Sequence, residues 1–490
     1  MRQQLKNLTL ILISIFAVVF ITPPIFVLVI LPLMLYRKVI IFLASWKKDI
    51  YRPLNICSGA LVFDDIYGKP ISSECVVTYL RDVHDTTQLI AKLEKAVQIH
   101  PELTCILHSW MSTLFWKKSS TFQLAQHITV NEEPDPEKIQ QFLDSLPEQP
   151  FTKGFPLWEV ISLPNYSNSK YDTKSALVWR FHHILADGLA IISFFNDFFD
   201  FDNSGKEMKS RENFPNLRPS KVTSKILNFF ELVFVTPTET IFRFLKGIDS
   251  NPIKDQVRSA EMTRYQDLIA IDMADLKRIC RTSKANITVL MFAGVTGALM
   301  KAMKERGRHI CQDATSGYVM PSIFQHDGTL TNNLIAVPLR IPLSEAKLEQ
   351  RLDQISNQFR HLFSSTIVIG FFLTNRALGL FGGTVRKYPE ISKLGTVMHS
   401  NVAIFRENRF QLFGNPVERI SPITGLIQKS CPIAIINLSY NGKMGITITA
   451  DKAVFSGRDQ LERVINDVIC EINEIGRIPV HGEEVEMSLV

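Results

Sequence analysis

Residues 7–36 carry no charge, and the start of the chain reads differently from everything after it. These 30 residues between Lys6 and Arg37 are mostly Leu, Ile, Val and Phe. A helix needs only about 20 apolar residues to cross a bilayer. A secretory signal would have a shorter apolar region, about 7–15 residues, before a small-residue cleavage site. The pattern therefore predicts a retained membrane anchor within residues 1–50. Pro23 and Pro24 in the middle, and Pro32 near the end, remove backbone donors. They predict either one kinked span or a hairpin turning at Pro23-Pro24. Arg37, Lys38, Lys47, Lys48 and Arg52 follow the run and outnumber Arg2 and Lys6 before it, which places the large body on the cytoplasmic side. Residues 39–46 are apolar but too few to cross, and suit the interface.

Beyond residue 50 the pattern is globular. Leu89, Ile90, Leu93, Val97 and Ile99 recur near helical spacing after Asp85, a capping residue. Strand-type runs are expected at 60–63, 76–80, 103–107, 159–163 and 176–183. Residues 202–224 are rich in Ser, Asn, Lys, Arg and Pro and read as a linker. Residues 225–246 are apolar but interrupted by Glu231, Pro237 and Glu239, which predicts a helix packed on the body or lying on the membrane beside the anchor. Helices follow at 274–284, 288–306, 348–362 and 459–474, with strands at 335–341, 434–438 and 445–450. Helices and strands alternate irregularly, which predicts an α/β layered architecture. The divisions are an anchor (1–50), a first domain (51–202), a linker with an amphipathic helix (203–257) and a second domain (258–490).

Composition narrows the class. With 490 residues the chain is long enough for two or more cores. At 46% hydrophobic and 21% charged, it is neither disordered nor collagen-like. A mean hydropathy of +0.08 suits one apolar segment on a soluble-type body. The net charge of +6 is spread without a basic stripe, so no nucleic-acid partner is expected. Seven cysteines, an odd number with no C-x-x-C pair, argue against a disulfide scaffold or a zinc ribbon.

The sharpest chemical signal is Phe181-His182-His183-Ile184-Leu185-Ala186-Asp187-Gly188, an H-H-x-x-x-D-G pattern between a strand and a helix. Strand alternation groups His183 with Leu177, Trp179 and Phe181, so His183 should face the interior and His182 the other face. An unprotonated imidazole in an apolar channel is a suitable general base. Asp187 stands where the helix begins and can cap it, Gly188 can ease the turn, and Asp187 can also fix the loop that carries His183. Two adjacent strand residues do not readily bind one ion, so no metal is expected.

This motif resembles the hallmark of acyltransferases with the chloramphenicol acetyltransferase-like fold. Within them the chain looks most like the wax ester synthase/diacylglycerol acyltransferase group. Pro156-Leu157-Trp158-Glu159 is similar to that group's P-L-W element. Asn333 with residues 336–342, Ser400-Asn401-Val402, Ser439-Tyr440-Asn441-Gly442 and then Asp451 resemble its later blocks in order. Where that group has an Asn-Asp pair opening a helix, this chain has Ile287-Thr288, with Asn286 displaced by one and Thr288 able to cap through its hydroxyl.

The resemblance implies two similar α/β domains with a tunnel between them, added to the anchor. It implies acyl transfer from acyl-CoA, a co-substrate with no other cofactor, to a long-chain alcohol or diacylglycerol held in membrane lipid. His183 would be the base, His182, Asp187 and Gly188 would complete the catalytic motif, and Trp158, Thr288 and Asn401 would line the substrate path. Trp158 reads equally simply as a core aromatic. Such an enzyme belongs on a membrane, the endoplasmic reticulum or the plasma membrane, with its body in the cytosol. An acyltransferase for another acceptor, or a non-catalytic lipid-binding relative, are the alternatives.

Overall fold

The computed structural model describes residues 2–62, 65–201, 231–247, 253, 259, 261–306, 313–322, 328–381, 395–402, 409–426 and 431–477. The expected linker at 202–224 and the first part of the run at 225–246 lie outside them.

The N-terminal run forms one helical rod, not a hairpin. Its segments Arg2–Phe16, Thr22–Ile25 and Leu31–Ala44 are α-helical, and Ala17–Ile21 and Phe26–Ile30 between them are π-helical. Prolines at the first turn of the short middle segment deny the preceding turn its usual donors. The helix widens there instead, so that the Thr22 amide bonds the Ala17 carbonyl and the Leu31 amide bonds the Phe26 carbonyl. The helix Leu8–Ala44 is 37 residues long and contains an 18-residue window of mean hydropathy 2.7, enough to cross a membrane by length and composition. Its last turns are docked, because Ile40 and Ala44 pack on Phe115 and the Tyr36 hydroxyl donates to the Met111 carbonyl at 3.1 Å. Its first half touches the helix Thr236–Gly247, which itself packs on the helix Ile367–Leu380. The 225–246 run is thus, where described, helical and seated on both the body and the N-terminal helix.

Two large sheets build most of the body, beside a three-stranded sheet of Ile50–Pro53, Thr113–Lys118 and Cys105–Trp110. The first runs in the order 128–130, 158–163, 175–182, 73–80, 415–424, 410–412, 200–201. The strand Ser175–His182 lies inside it, paired antiparallel to Trp158–Leu163 on one side and Ser73–Leu80 on the other. Leu177, Trp179 and Phe181 face the helices Thr86–Ile99 and Gly188–Phe198, while Ala176 and Val178 face the helix Pro136–Ser145. Both faces are covered, which is why this strand reads as continuously apolar. The last two strands before its far edge come from beyond residue 400, so the chain crosses the division drawn at 202 and 258.

The second sheet runs 334–341, 314–321, 397–402, 433–440, 443–451, 262–272. Helices Met273–Ser283, Ile287–Glu305, Leu348–Ser364 and Arg458–Ile475 share its core. Ile287–Glu305 is also long and apolar enough to span a membrane, but it is buried in the body. A Cβ on Gly294 would stand 2.9 Å from Ile472, so glycine lets this helix approach Arg458–Ile475.

Two local expectations fail. Residues 60–63 are no strand: Asn55 caps a short helix, Ile56–Gly59, by accepting from the Cys57 amide, and a turn follows, Phe63 itself lying outside the described residues. Residues 103–107 begin as the 3-10 turn Pro101–Thr104 and become a strand only at Cys105.

Candidate active site

The histidine strand ends at His182, and the chain then turns. Up to that point alternation sorts the side chains as expected. His182 follows Arg180, whose guanidinium lies 4.1 Å from the centre of the Phe151 ring and pairs with Glu159. The His182 ring meets the same Phe151 edge-on at 5.9 Å and is 0% exposed. Its Nδ1 accepts from the Ile184 amide at 3.3 Å, which places the proton of the neutral ring on Nε2. His182 thus shapes the turn that follows it.

His183 emerges on the opposite face, as its parity with Phe181 requires. Its amide donates to the Ser72 carbonyl at 2.8 Å, so the sheet register holds its backbone one residue past the strand. Its carbonyl accepts from Nδ2 of Asn332 at 2.7 Å, and the same Nδ2 donates to the Ser58 hydroxyl at 3.0 Å. The side chain is 18% exposed, and Nε2 stands 3.1 Å from Oε1 of Glu74. Glu74 is the residue that pairs with Phe181 on the neighbouring strand, hence on the same face as His183. Burial pushes the Glu74 carboxyl up from its ordinary range; His183 opposes that shift, Asp187 adds to it and His182 offsets it slightly.

Asp187 does two things. Oδ1 caps the helix Gly188–Phe198 by accepting from the Ala190 amide at 2.9 Å. Oδ2 accepts from the Asn333 amide at 2.7 Å, and the Asp187 amide donates to the Thr331 carbonyl at 3.2 Å. The loop 331–333, from the second half of the chain, is therefore tied to the start of this helix. The next residue differs from expectation. Gly188 has no left-handed φ, and nothing lies within 4 Å of a Cβ placed there, so the turn does not require glycine; its missing side chain leaves open space at the head of the helix.

The remaining expected residues lie apart. Trp158 is 6% exposed in the core, stacked on His127 at 4.6 Å, with its indole N–H donating to the Leu103 carbonyl at 2.7 Å. That is the core-aromatic reading. Thr288 is not the cap of its helix. Asn286 is, accepting from the Val289 amide at 2.9 Å. The Thr288 hydroxyl instead accepts from Nδ2 of Asn401 at 3.0 Å and hydrogen-bonds Tyr318. Thr288 and Asn401 are thus joined to one another across the second sheet's helical face. Among the described residues no contact links this pair to His183.

Two participants were not singled out by sequence reasoning. Asn332 carried a weak signal, since it adjoins Asn333 in a polar Thr-Asn-Asn run. Glu74 carried a stronger one, a lone carboxylate opening the apolar strand Ser73–Leu80. Among the described residues no group of three His, Cys, Asp or Glu side chains is placed to hold a metal ion.

Comparison with known proteins places this geometry. Residues 330–473 match the WS/DGAT C-terminal domain family. A Mycobacterium tuberculosis protein named as a probable diacylglycerol O-acyltransferase is 21% identical over 397 residues, which cover 74% of this chain and 82% of that one. The structure of the wax ester synthase/diacylglycerol acyltransferase from Marinobacter aquaeolei VT8 superposes with a TM-score of 0.57 at 12% identity, covering 87% of this chain and all of that one. Trichothecene 15-O-acetyltransferase from Fusarium sporotrichioides superposes at 0.61 and 14% identity, covering 87% and 96%. At these identities the superpositions establish the shared fold.

Proposed function

We propose that the chain is an acyltransferase of the wax ester synthase/diacylglycerol acyltransferase type that moves a long-chain acyl group from acyl-CoA to the hydroxyl of a membrane-resident alcohol, with His183 as general base. The observation that carries this reading is the way His183 is held. Its backbone is clamped by Ser72, just before a strand of the first sheet, and by Asn332 from the second half, while its side chain stays 18% exposed. The open space beside Gly188 lies at the start of the adjoining helix.

In this reading the acceptor hydroxyl gives its proton to the imidazole as its oxygen attacks the thioester carbonyl. The tetrahedral oxyanion collapses, the carbon–sulfur bond breaks, and the departing thiolate takes the proton back from the imidazolium. The acyl chain and the acceptor meet in a passage between the two halves. Asp187 keeps the loop 331–333 and the helix start together, so that the clamp on His183 persists through turnover. The N-terminal rod keeps the body at the lipid surface where such alcohols reside and where the ester product partitions.

The test uses the full-length protein in lipid nanodiscs with palmitoyl-CoA and either hexadecanol or dioleoylglycerol. Ester formation is expected with at least one of these, and His183→Ala is expected to lower it by about 10²–10⁴-fold with an unchanged melting temperature. Undiminished turnover in that variant would sink the assignment of the base. Activity with amine acceptors alone would redirect the assignment of the acceptor.

A further inference from the structure

Glu74 is absent from the proposed reaction, yet its carboxyl group meets the ring of His183. Nε2 of His183 lies 3.1 Å from its Oε1, within hydrogen-bonding distance. Among the described residues the other ring nitrogen, Nδ1, is buried and has no partner. The polar hold on the ring among the described residues is therefore at Nε2. That contact is built into the sheet. Glu74 pairs with Phe181 on one side and with Thr424 on the other, so its strand is held in register from both edges. The two side chains are exposed to nearly the same small extent, 20% for Glu74 and 18% for His183, so they share one half-dry environment. A carboxyl group in the apolar row of Val76, Leu177, Trp179 and Phe181 has no packing role that an aliphatic residue would not fill better.

We propose that Glu74 is a positioning residue for His183, holding the ring in the orientation that meets the acceptor and stabilising the imidazolium that forms as the proton is taken up. The inference rests on His183 being the base. When the acceptor's proton reaches the ring, a cation stands against a carboxylate at hydrogen-bonding distance, the arrangement that favours proton uptake in carboxylate–histidine pairs generally. The proton then leaves to the thiolate, and the pair returns to its starting charge with no net gain or loss. The titratable groups facing Glu74 are His183, Asp187 and His182, and burial is the largest influence on its carboxyl, moving it upward.

The experiment compares Glu74→Gln, Glu74→Asp and His183→Ala in the full-length protein, measuring kcat and KM from about pH 5 to about pH 9. Glu74→Gln is expected to lower kcat about tenfold while KM for palmitoyl-CoA stays within about twofold. Its acid limb is expected to lose one ionisation, and Glu74→Asp to keep that ionisation with intermediate kcat. If the Gln variant fails to fold, the Asp variant still reports, because its carboxyl retracts by one methylene and should weaken kcat without removing the acid-limb step. A Gln variant with wild-type kcat and a superimposable profile would overturn the role of Glu74. So would a loss confined to a raised KM with the profile unchanged, which is the pattern of a packing defect. Turnover surviving in His183→Ala would overturn the reading of the base and the pair together, so the two failures are told apart.

Discussion

Two histidines, one inside the second sheet and one just past a strand of the first, differ in how they are held. His399 sits within the strand Val397–Val402 of the second sheet and is 1% exposed. Its Nε2 accepts from Nδ2 of Asn437 at 2.8 Å, and its ring stacks on Phe292 at 5.4 Å. Burial, unopposed by any charge, drives its pKa down to about 3. It stays neutral because it is sealed, and being sealed it can exchange protons with nothing. His183 stands one residue past a strand end, keeps 18% of its side chain exposed, and faces a carboxyl group. An imidazole that is only buried becomes inert. One that is only partly buried, clamped through its backbone and opposed by an acid is held by polar partners as well as by packing.

Three perturbations sharpen this contrast. The largest effect is expected at Asp187, which is tied to the His183 clamp through the loop 331–333. Asp187→Ala removes a helix cap, costing about 0.5–2 kcal/mol of stability. It also frees the Asn333 amide, and a clamp displaced by this much is expected to lower kcat by about 10–100-fold. Calorimetry with steady-state kinetics reads both, and a variant that is destabilised but fully active would separate the cap from the clamp.

A smaller effect is expected at His399. Its ring is neutral in the fold and takes up a proton in the unfolded chain below its ordinary value of 6.5. The unfolded state thus binds more protons in that window, so the contribution of His399 is fully present above pH 6.5 and is lost as pH falls toward about 3. His399→Gln can still accept from Asn437 but cannot titrate. Its melting temperature should fall less steeply on acidification than that of the wild type, with turnover at neutral pH unchanged. Parallel curves for the two proteins would show that His399 is not held neutral by the fold. The smallest effect is expected at Thr288→Val, which loses the hydroxyl shared by Asn401 and Tyr318. A destabilisation of about 1 kcal/mol with kcat within about twofold is expected by thermal melting and kinetics. A large loss of kcat would bring this pair back into the active centre.

The sequence carried the parts of the site that depend on local periodicity. The motif from His182 to Gly188, the facing of Leu177, Trp179 and Phe181, and Asp187 as a cap all follow from strand alternation and the strand-to-helix change. What pairing decides was not legible. Glu74 reaches His183 only because its strand is set opposite Phe181, and no periodicity within residues 73–80 reveals a partner a hundred residues away. Asn332 acts on a carbonyl, which leaves no trace in residue type. Thr288 and Asn286 are both competent caps, and the choice between them turned on a two-residue boundary that sequence does not resolve. The prolines at 23 and 24 were read as a kink or a reversal; the chain absorbed them by π-type widening.

The crossing of residues 410–424 into the first sheet has a consequence for how the protein is made. The strand Ser73–Leu80 gains its second neighbour only from Asn415–Thr424, which leaves the ribosome some 335 residues later. At about 5–20 residues per second, that edge waits unpaired for tens of seconds. During this interval the nascent chain presents an apolar ribbon beside an already synthesised greasy rod, and the two must be kept from sticking before the closing strand arrives.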